Sequence, residues 1–289
     1  MNFNVISPKN ESELFDAMRN NLDGFRFGAG YTDLILEIKK QDPKSLLVIN
    51  LAQLNDDKFN SMNHDSDFLN IGSLISVASI ENDAFIKQNF PVLHQASKSL
   101  ASSQIRQVAT VGGNLCTASP SGDVACALVA LNASCEVINI EGSIRVIPIR
   151  EFFISPRKTV LRKDEILRRI IVPIINNPTN IHSGFIKVGT RRSMECSVVS
   201  IAYHICYNSD GIITNAGIAI GAVAPTIRFT EKACSFLISK NIHSINKDLK
   251  ETFSELILEY ASPISDIRAS AWYRTEVLRN ISKGLFDKI

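Results

Sequence analysis

The sequence lacks a long apolar run, an excess of basic residues and a leader-like start, and each absence excludes a class of protein. None of the 289 residues lies in a stretch of roughly 18 apolar residues, the length that a transmembrane helix needs. Lys and Arg number 31 and Asp and Glu 29, and the net charge of +2 does not indicate a nucleic-acid-binding protein. The N-terminus, MNFNVISPKNESELF, has no basic segment followed by an apolar one, which predicts a cytoplasmic protein without a secretory signal.

Cysteine is scarce and scattered, which argues against a metal centre within this chain. No two cysteines form a Cys-x-x-Cys pair, and their spacings match no common zinc or iron–sulfur pattern. We expect six reduced thiols that are buried as small apolar groups: Cys116, Cys126, Cys135, Cys196, Cys206 and Cys234. The Gly-x-Gly-x-x-Gly fingerprint, the Gly-Lys-Ser/Thr phosphate loop and the Gly-x-Ser-x-Gly nucleophile elbow are also missing. His204 lies in an apolar run, where a satisfied core histidine is expected.

The most informative stretch that is present covers residues 109–123, ATVGGNLCTASPSGD, named here the second glycine stretch. Gly112 and Gly113 have no Cβ and can adopt positive φ, so a backbone can approach a ligand closely there. Successive N–H groups of such a turn can converge on a phosphate. Asp123 is placed to accept a hydrogen bond from a ribose hydroxyl. Three short hydrogen-bonding side chains accompany them: Thr110, Asn114 and Ser119.

A similar composition occurs about eighty residues earlier, in the first glycine stretch, FGAGYTDL at residues 27–34. Two such stretches in one chain indicate a long ligand with a phosphate bridge in its middle. The simpler interpretation, that each is only a tight turn, remains open at this point, because glycine-rich segments commonly mark turns.

Apolar periodicity predicts alternating helices and strands in the first part of the chain and strands followed by helices in the second. Helices are predicted at 11–21, 34–39, 80–100 with a break at Pro91, 124–131, 230–239, 247–260 and 269–283. Strands are predicted at 25–29, 45–50, 68–71, 136–140, 144–149, 166–173, 184–188, 198–207 and 212–223. A polar cluster with proline at 176–180 predicts a linker.

The two glycine stretches resemble the flavin loops of the FAD-binding medium subunit of molybdenum hydroxylases. That family includes bacterial xanthine dehydrogenase, whose medium subunits this sequence resembles most, as well as carbon monoxide dehydrogenase and nicotinate dehydrogenase. The resemblance continues in order through residues 164–173, 184–202, 216–228 and 265–274. It implies an α+β protein with a two-lobed FAD-binding domain of the vanillyl-alcohol-oxidase/PCMH type at 1–176, with lobes at about 1–55 and 56–176. A smaller α+β domain of the CO dehydrogenase flavoprotein type is implied at 181–289.

The resemblance also implies which residues hold FAD. Backbone amides of the first stretch would hold the pyrophosphate, Asp123 would lie at the adenosine half, and Lys187 would lie near the flavin, where a cation favours the anionic reduced form. For Lys187 a surface lysine on a strand is the alternative. The implied cofactor-binding residues are Phe27, Gly28, Ala29, Gly30, Tyr31, Thr32, Asp33, Leu34, Leu100, Thr110, Val111, Gly112, Gly113, Asn114, Ser119, Asp123, Leu167 and Lys187. No catalytic residue or metal ligand is implied.

Tyr31 stands where most bacterial members have the second glycine of Ala-Gly-Gly-Thr-Asp, so its φ must suit a side chain. Arg191, Arg192 and Glu195 fall in a segment that lies near the flavin in relatives, and they are expected to be gating or interface residues.

The function implied by the resemblance is electron transfer through one noncovalently bound FAD. Electrons would arrive from [2Fe–2S] clusters on a small partner subunit, originate at a molybdopterin site on a large one, and leave to NAD+ or another acceptor. A dimer of heterotrimers is expected. Two alternatives remain. One is a stand-alone FAD-dependent oxidoreductase that acts on its own small substrate. The other is a nucleotide-binding or scaffold protein without redox chemistry, in which Tyr31 has disrupted the flavin site.

Overall fold

A small lobe of parallel strands begins the chain. The computed structural model describes residues 3–41, 45–175, 180–191 and 194–287. The strands of this first lobe are β1 (Asn4–Ile6), β2 (Arg26–Gly28) and β3 (Leu47–Asn50), arranged in the order β1-β3-β2. Its two helices are α1 (Glu11–Arg19) and α2 (Leu34–Gln41).

Neighbouring residues of β3 hold these helices on opposite faces of the sheet. Ile49 packs in one apolar cluster with Leu14 of α1, whereas Val48 packs in another with Leu34 and Ile38 of α2. Successive side chains of a strand point to opposite sides, so the sheet is covered on both faces. The first glycine stretch therefore runs from the end of β2 directly into the start of α2.

The second lobe contains an antiparallel sheet with the order β4-β5-β10-β6-β7. These strands are β4 (Met62–His64), β5 (Phe68–Gly72), β6 (Ser134–Asn139), β7 (Ile144–Pro148) and β10 (Glu165–Pro173), and a small hairpin comprises β8 (Phe153–Ser155) and β9 (Lys158–Thr159). The helices are α3 (Asp57–Asn60), α4 (Val77–Asn82), α5 (Ala84–Asn89), α6 (Pro91–Ser99), α7 (Ser103–Val108), α8 (Val111–Cys116), α9 (Asp123–Ala130) and α10 (Ile149–Phe152).

The C-terminal domain has a four-stranded antiparallel sheet with three helices on one face. The strands, in spatial order, are β11 (Asn180–Val188), β12 (Val199–Tyr207), β13 (Ile213–Gly221) and β14 (Arg228–Phe229). The helices are α11 (Glu231–Leu237), α12 (Lys247–Leu258) and α13 (Ala271–Lys283). Short 3-10 helices occupy Leu51–Gln53, Ile242–Ser244 and Gly284–Phe286.

The opposite face of this C-terminal sheet rests on α9 of the second lobe. All eight residues of α9 are buried, and the helix contacts both β12 and β13. Small residues of the sheet, including Ala202 and Ala219, face the helix and join the core of the second lobe. A Cβ on Gly217 would lie 1.9 Å from the carbonyl oxygen of Ala130, so glycine permits the close approach there.

Most predicted elements are present within a few residues of their expected bounds, and the structure adds short ones that were not predicted, among them β1, α3, β4 and α7. Two predicted regions differ. The helix predicted at 80–100 is divided at Asp83 as well as at Pro91, because the Asp83 carboxylate accepts from the N–H of Ile86 at 2.8 Å and starts a new helix. The second glycine stretch forms α8 rather than an open loop. Gly112 and Gly113 have helical backbone, and positive φ among described glycines occurs at Gly142 and Gly211.

The predicted linker at 176–180 lies mostly outside the described residues, so the division at 176 and 181 stays a prediction. The mixture of helices and mainly antiparallel sheets confirms the α+β class. Within the described part of the chain, no helix is both long and apolar enough to cross a membrane.

Candidate cofactor site

The two glycine stretches, distant in sequence, meet in the structure. A Cβ on Gly30 would lie 1.9 Å from the carbonyl oxygen of Val108 and 2.6 Å from its carbonyl carbon. Val108 ends α7 immediately before the second stretch. Because backbone atoms cannot give way as a flexible side chain can, glycine at position 30 is what allows the two lobes to approach this closely.

Tyr31 keeps a left-handed turn in the first stretch although it carries a side chain. Its φ is 60°, in the region that favours glycine. The ring folds back over Gly28, where a Cβ would be 2.3 Å from the ring carbon Cζ. The ring also packs against the apolar cluster of α2 and β3, and burial raises the pKa of its hydroxyl. The turn that a second glycine would supply is therefore present.

The start of α2 directs a helix N-terminus at the first stretch, where the N–H groups of Ile35 and Glu37 donate to the carbonyls of Tyr31 and Asp33 at 3.2 and 3.0 Å. Phe27 and Gly28 end β2, residues 29–33 form the connection, and Leu34 begins the helix. The first N–H groups of a helix have no carbonyl partner within it, and the helix dipole adds partial positive charge at that end. The arrangement is suited to an anionic group such as a pyrophosphate.

The second stretch is fixed by hydrogen bonds to the segment that follows β5. The N–H of Gly112 donates to the carbonyl of Ser73 at 2.8 Å, and the N–H of Val111 donates to that of Ile75 at 3.0 Å. A Cβ on Gly112 would lie 2.6 Å from the Cβ of Ser73. This glycine is thus required for contact between two protein segments, a reason different from the predicted freedom of φ.

Short polar side chains in the second stretch bond mainly to their own segment. Thr110 Oγ1 caps α8 by accepting from the N–H of Gly113 at 3.0 Å. Asn114 Oδ1 accepts from the N–H of Ala125 at 3.0 Å and so joins α8 to the start of α9. The hydroxyl of Ser119 lies 3.1 Å from that of Ser121. These bonds order the stretch before any ligand enters.

Asp123 and Lys187 form a buried ion pair between the second lobe and the C-terminal domain. Lys187 Nζ lies 2.6 Å from Asp123 Oδ2, and the side chains are only 11% and 5% exposed. Ser197 Oγ donates to Asp123 Oδ1 at 2.8 Å, and Lys187 also donates to the carbonyl of Ser99 at 3.2 Å. Burial raises the pKa of Asp123, while Lys187 and Ser197 oppose the rise. The surface-lysine interpretation of Lys187 is therefore wrong.

Two of the predicted apolar positions lie at the main core of the second lobe. Leu167 in β10 is buried within it, and Leu100, which follows α6, is half-buried against it. Their packing beside a cofactor stays a prediction.

Residues on either side of positions 192 and 193 contact one another near the ion pair. The N–H of Arg191 donates to Glu195 Oε2 at 2.6 Å, and the Glu195 carboxyl lies against Gly189. Arg192 is outside the described residues. The expected gating or interface role of this segment stays a prediction.

Cysteine and histidine positions agree only in part with expectation. Cys116 and Cys196 are exposed, whereas the other four cysteines are buried, so burial of all six was a wrong prediction. His204 is the expected core histidine: it is 5% exposed, its Nδ1 lies 3.0 Å from Ser183 Oγ, and burial lowers its pKa to about 4. The described residues contain no group of three or more His, Cys, Asp or Glu side chains suited to a metal.

Sequence reasoning missed the residues outside the glycine stretches that hold them in place. Val108 and Ser73 act through their backbone carbonyls, which any residue type supplies, and Ser73 adds only the contact of its Cβ with Gly112. Ser197 lies within residues 184–202, one of the stretches that carry the family resemblance, but only the packing of the C-terminal domain brings it to Asp123. No local sequence signal distinguished these three positions.

Two family profiles cover nearly the whole chain. Residues 1–175 match the profile described as FAD binding domain in molybdopterin dehydrogenase, and residues 185–289 match the CO dehydrogenase flavoprotein C-terminal domain. Fold and site thus define a two-domain flavoprotein component of an oxidoreductase. The chain belongs to the family of FAD-binding domains of molybdopterin dehydrogenases, and the resemblance inferred from its sequence is confirmed.

Curated relatives agree with this assignment, and a solved structure shares the fold. The chain is 28% identical to the xanthine dehydrogenase FAD-binding subunit of Escherichia coli O157:H7, with 90% of this chain and 87% of the relative covered. It is 27% identical to the nicotinate dehydrogenase FAD-subunit of Eubacterium barkeri, with 90% and 86% covered. The fold matches that of quinoline 2-oxidoreductase from Pseudomonas putida 86 with a TM-score of 0.88 at 22% identity, covering 100% of this chain and 96% of that one.

Proposed function

We propose that this chain holds one FAD noncovalently across its two glycine stretches and transfers electrons as the medium subunit of a molybdenum hydroxylase. The contact of Gly30 with the Val108 carbonyl carries the proposal, because it places the first stretch of one lobe against the residue that immediately precedes the second stretch of the other. A dinucleotide joined by a pyrophosphate is the ligand class that needs such a junction. When bound, the flavin ring supplies the redox chemistry, and the protein supplies binding, orientation and electrostatics.

The residues of the chain divide this binding task. Amides between Ala29 and Leu34, with the start of α2, would hold the pyrophosphate. The remaining predicted contacts come from the second stretch, from Leu100 and Leu167, and from the pair of Asp123 with Lys187. Because Lys187 and Asp123 lie 2.6 Å apart, both would contact the same part of the cofactor rather than its flavin and adenosine ends separately, and the carboxylate offsets the positive charge that Lys187 brings there. The left-handed backbone at Tyr31, with a φ of 60°, supports FAD binding here.

Partner subunits would supply the other redox centres. The similar proteins of Escherichia coli O157:H7 and Eubacterium barkeri are described as FAD subunits, which supports a place within a larger complex. We propose a small [2Fe–2S] subunit and a large molybdopterin subunit, assembled as a dimer of heterotrimers in the cytoplasm. NAD+ is the proposed acceptor, since the xanthine dehydrogenase subunit is among the similar proteins.

An absorbance spectrum of the purified full chain, followed by chromatography of acid-released material, tests the cofactor. Oxidised-flavin bands and intact FAD in the supernatant are expected. Gly30→Ala should lose the flavin, because its Cβ would overlap the Val108 carbonyl, whereas Gly24→Ala, with no atom within 4 Å, should retain it. A colourless wild-type protein that added FAD does not reconstitute would contradict the proposal.

Anaerobic addition of NADH to the flavin-loaded protein tests the proposed acceptor by the reverse reaction. Bleaching of the flavin absorbance is expected, and a flavin inert to NADH would exclude NAD+ as the direct acceptor. Turnover of a small substrate by this chain alone would favour a stand-alone oxidoreductase instead.

A further inference from the structure

The C-terminal domain makes three hydrogen bonds to the end of the second glycine stretch. The N–H of Ala222 donates to the carbonyl of Pro120 at 2.7 Å. Lys187 and Ser197 hold the two carboxylate oxygens of Asp123, at 2.6 and 2.8 Å. Pro120 and Asp123 are the second and fifth residues of the sequence SPSGD, which leads into α9. The turn is therefore held near both of its ends by a different domain.

The two partners of Asp123 differ in what they contribute. Lys187 brings a positive charge on a flexible four-carbon stem, which can follow the carboxylate through several orientations. Ser197 is fully buried, and its hydroxyl stands one carbon from the backbone. A donor on so short a side chain bonds Asp123 in few orientations, so Ser197 determines the direction in which the carboxylate points.

Arg274 fixes the backbone that carries Ser197. The Arg274 side chain is 3% exposed, and its Nη1 donates to the carbonyls of Val198 at 2.6 Å and Ala222 at 2.9 Å. Its Nη2 donates to Asp266 at 2.9 Å. One guanidinium thus joins the residue after Ser197 to the residue that holds Pro120. The Ser197 hydrogen bond to Asp123 and the Ala222 hydrogen bond to Pro120 are therefore linked through the same guanidinium.

We propose that Ser197 is a positioning residue of the cofactor site, through which the C-terminal domain sets the orientation of Asp123 and thereby the affinity for FAD. The inference rests on the proposed function, in which Asp123 contacts the cofactor. Ser197 would act through Asp123, to whose Oδ1 it donates at 2.8 Å.

Fluorescence titration of the flavin-stripped full chain with FAD tests this role. Ser197→Ala should weaken FAD binding roughly tenfold or more, the effect of losing a hydrogen bond to a charged group. Ser197→Thr, which keeps the hydroxyl, should bind within about threefold of wild type. Ser254→Ala is the matched control, because Ser254 is also fully buried in this domain but donates to the carbonyl of Arg279 at 3.1 Å, joining α12 to α13. Its FAD affinity should be unchanged.

A double-mutant cycle with Asp123→Asn separates positioning from general loss of structure. If Ser197 acts through Asp123, Ser197→Ala should weaken binding by less than about twofold in the Asp123→Asn background. An equal loss in both backgrounds, or wild-type affinity in Ser197→Ala, would overturn the inference while leaving FAD binding established. A wild-type chain that binds no FAD would overturn the proposed function itself, and the two failures are thereby distinguished.

Discussion

The ring of Tyr31 occupies the space that a Cβ on Gly28 would need, with its Cζ 2.3 Å from that position. The two residues are therefore coupled: glycine at 28 makes room for the ring, and the packed ring stabilises the left-handed backbone at 31, where φ is 60°. A residue other than glycine costs about 1–2 kcal/mol in that region of φ and ψ. Packing of the ring offsets this cost.

Gly28→Ala should lower the free energy of unfolding by about 1–3 kcal/mol, because the new methyl group meets the Tyr31 ring. In a Tyr31→Gly background the same substitution should cost less than about 1 kcal/mol, since the ring is gone. Urea unfolding of wild type, both single variants and the double variant measures the coupling. Additive effects would show that the ring and position 28 are independent.

A bulge in β10 directs two successive arginines to one buried carboxylate. The register between β10 and β6 shifts between Leu167 and Arg169. Residues that follow one another in a regular strand point to opposite faces, whereas the bulge allows both Arg168 and Arg169 to reach Glu136, at 2.6 and 2.7 Å. The Glu136 side chain is 6% exposed, so its charge depends on these partners.

Glu136→Gln should destabilise the protein by about 3–5 kcal/mol, because it leaves guanidinium charge without its buried partner. Glu259→Gln breaks an ion pair with Lys232 whose side chains are exposed, and it should change stability by less than about 1 kcal/mol. The urea midpoints of the two variants, compared with wild type, measure the difference. Similar small losses in both would mean that the buried pair contributes no more than a surface one.

Buried His204 should make the protein less stable in mild acid. Burial lowers its pKa from 6.5 to about 4, so between these values the unfolded chain binds a proton that the folded chain does not. The contribution of His204 is complete above pH 6.5 and is lost as the pH falls towards 4, by roughly 3 kcal/mol in total.

His204→Gln should flatten this part of the stability profile, measured as the free energy of urea unfolding at several pH values. A wild-type slope in His204→Gln would assign the acid sensitivity to other groups.

Local chemistry explains which elements were predictable from the sequence. α1 begins where the side chain of Asn10 accepts from the N–H of Glu13 at 3.0 Å, and asparagine is one of the residue types that favour such a cap. The hairpin of β6 and β7 also follows from its turn residues. By contrast, α7 and α8 have six residues each, too few for a clear apolar period, and their positions depend on tertiary contacts.

In the candidate site, too, contacts between distant segments could not be predicted from local sequence. Its glycines and short polar side chains form a local pattern, and that pattern led to the family. The partners of the pattern come from distant segments: Val108 for Gly30, Ser73 for Gly112 and Ser197 for Asp123. Such pairings depend on how the lobes and the C-terminal domain pack, which periodicity and composition do not encode.

The burial of helix α9 determines whether the FAD-binding region can be expressed without the C-terminal domain. All its residues are buried, and one side of it is covered only when β12 and β13 are present. A fragment ending near residue 175 would carry the matched FAD-binding region but would present an uncovered apolar helix to water. Proteolytic trimming or separate cloning of the two regions would therefore yield an aggregation-prone fragment. The boundary between the two regions in the sequence does not coincide with a boundary of the hydrophobic core.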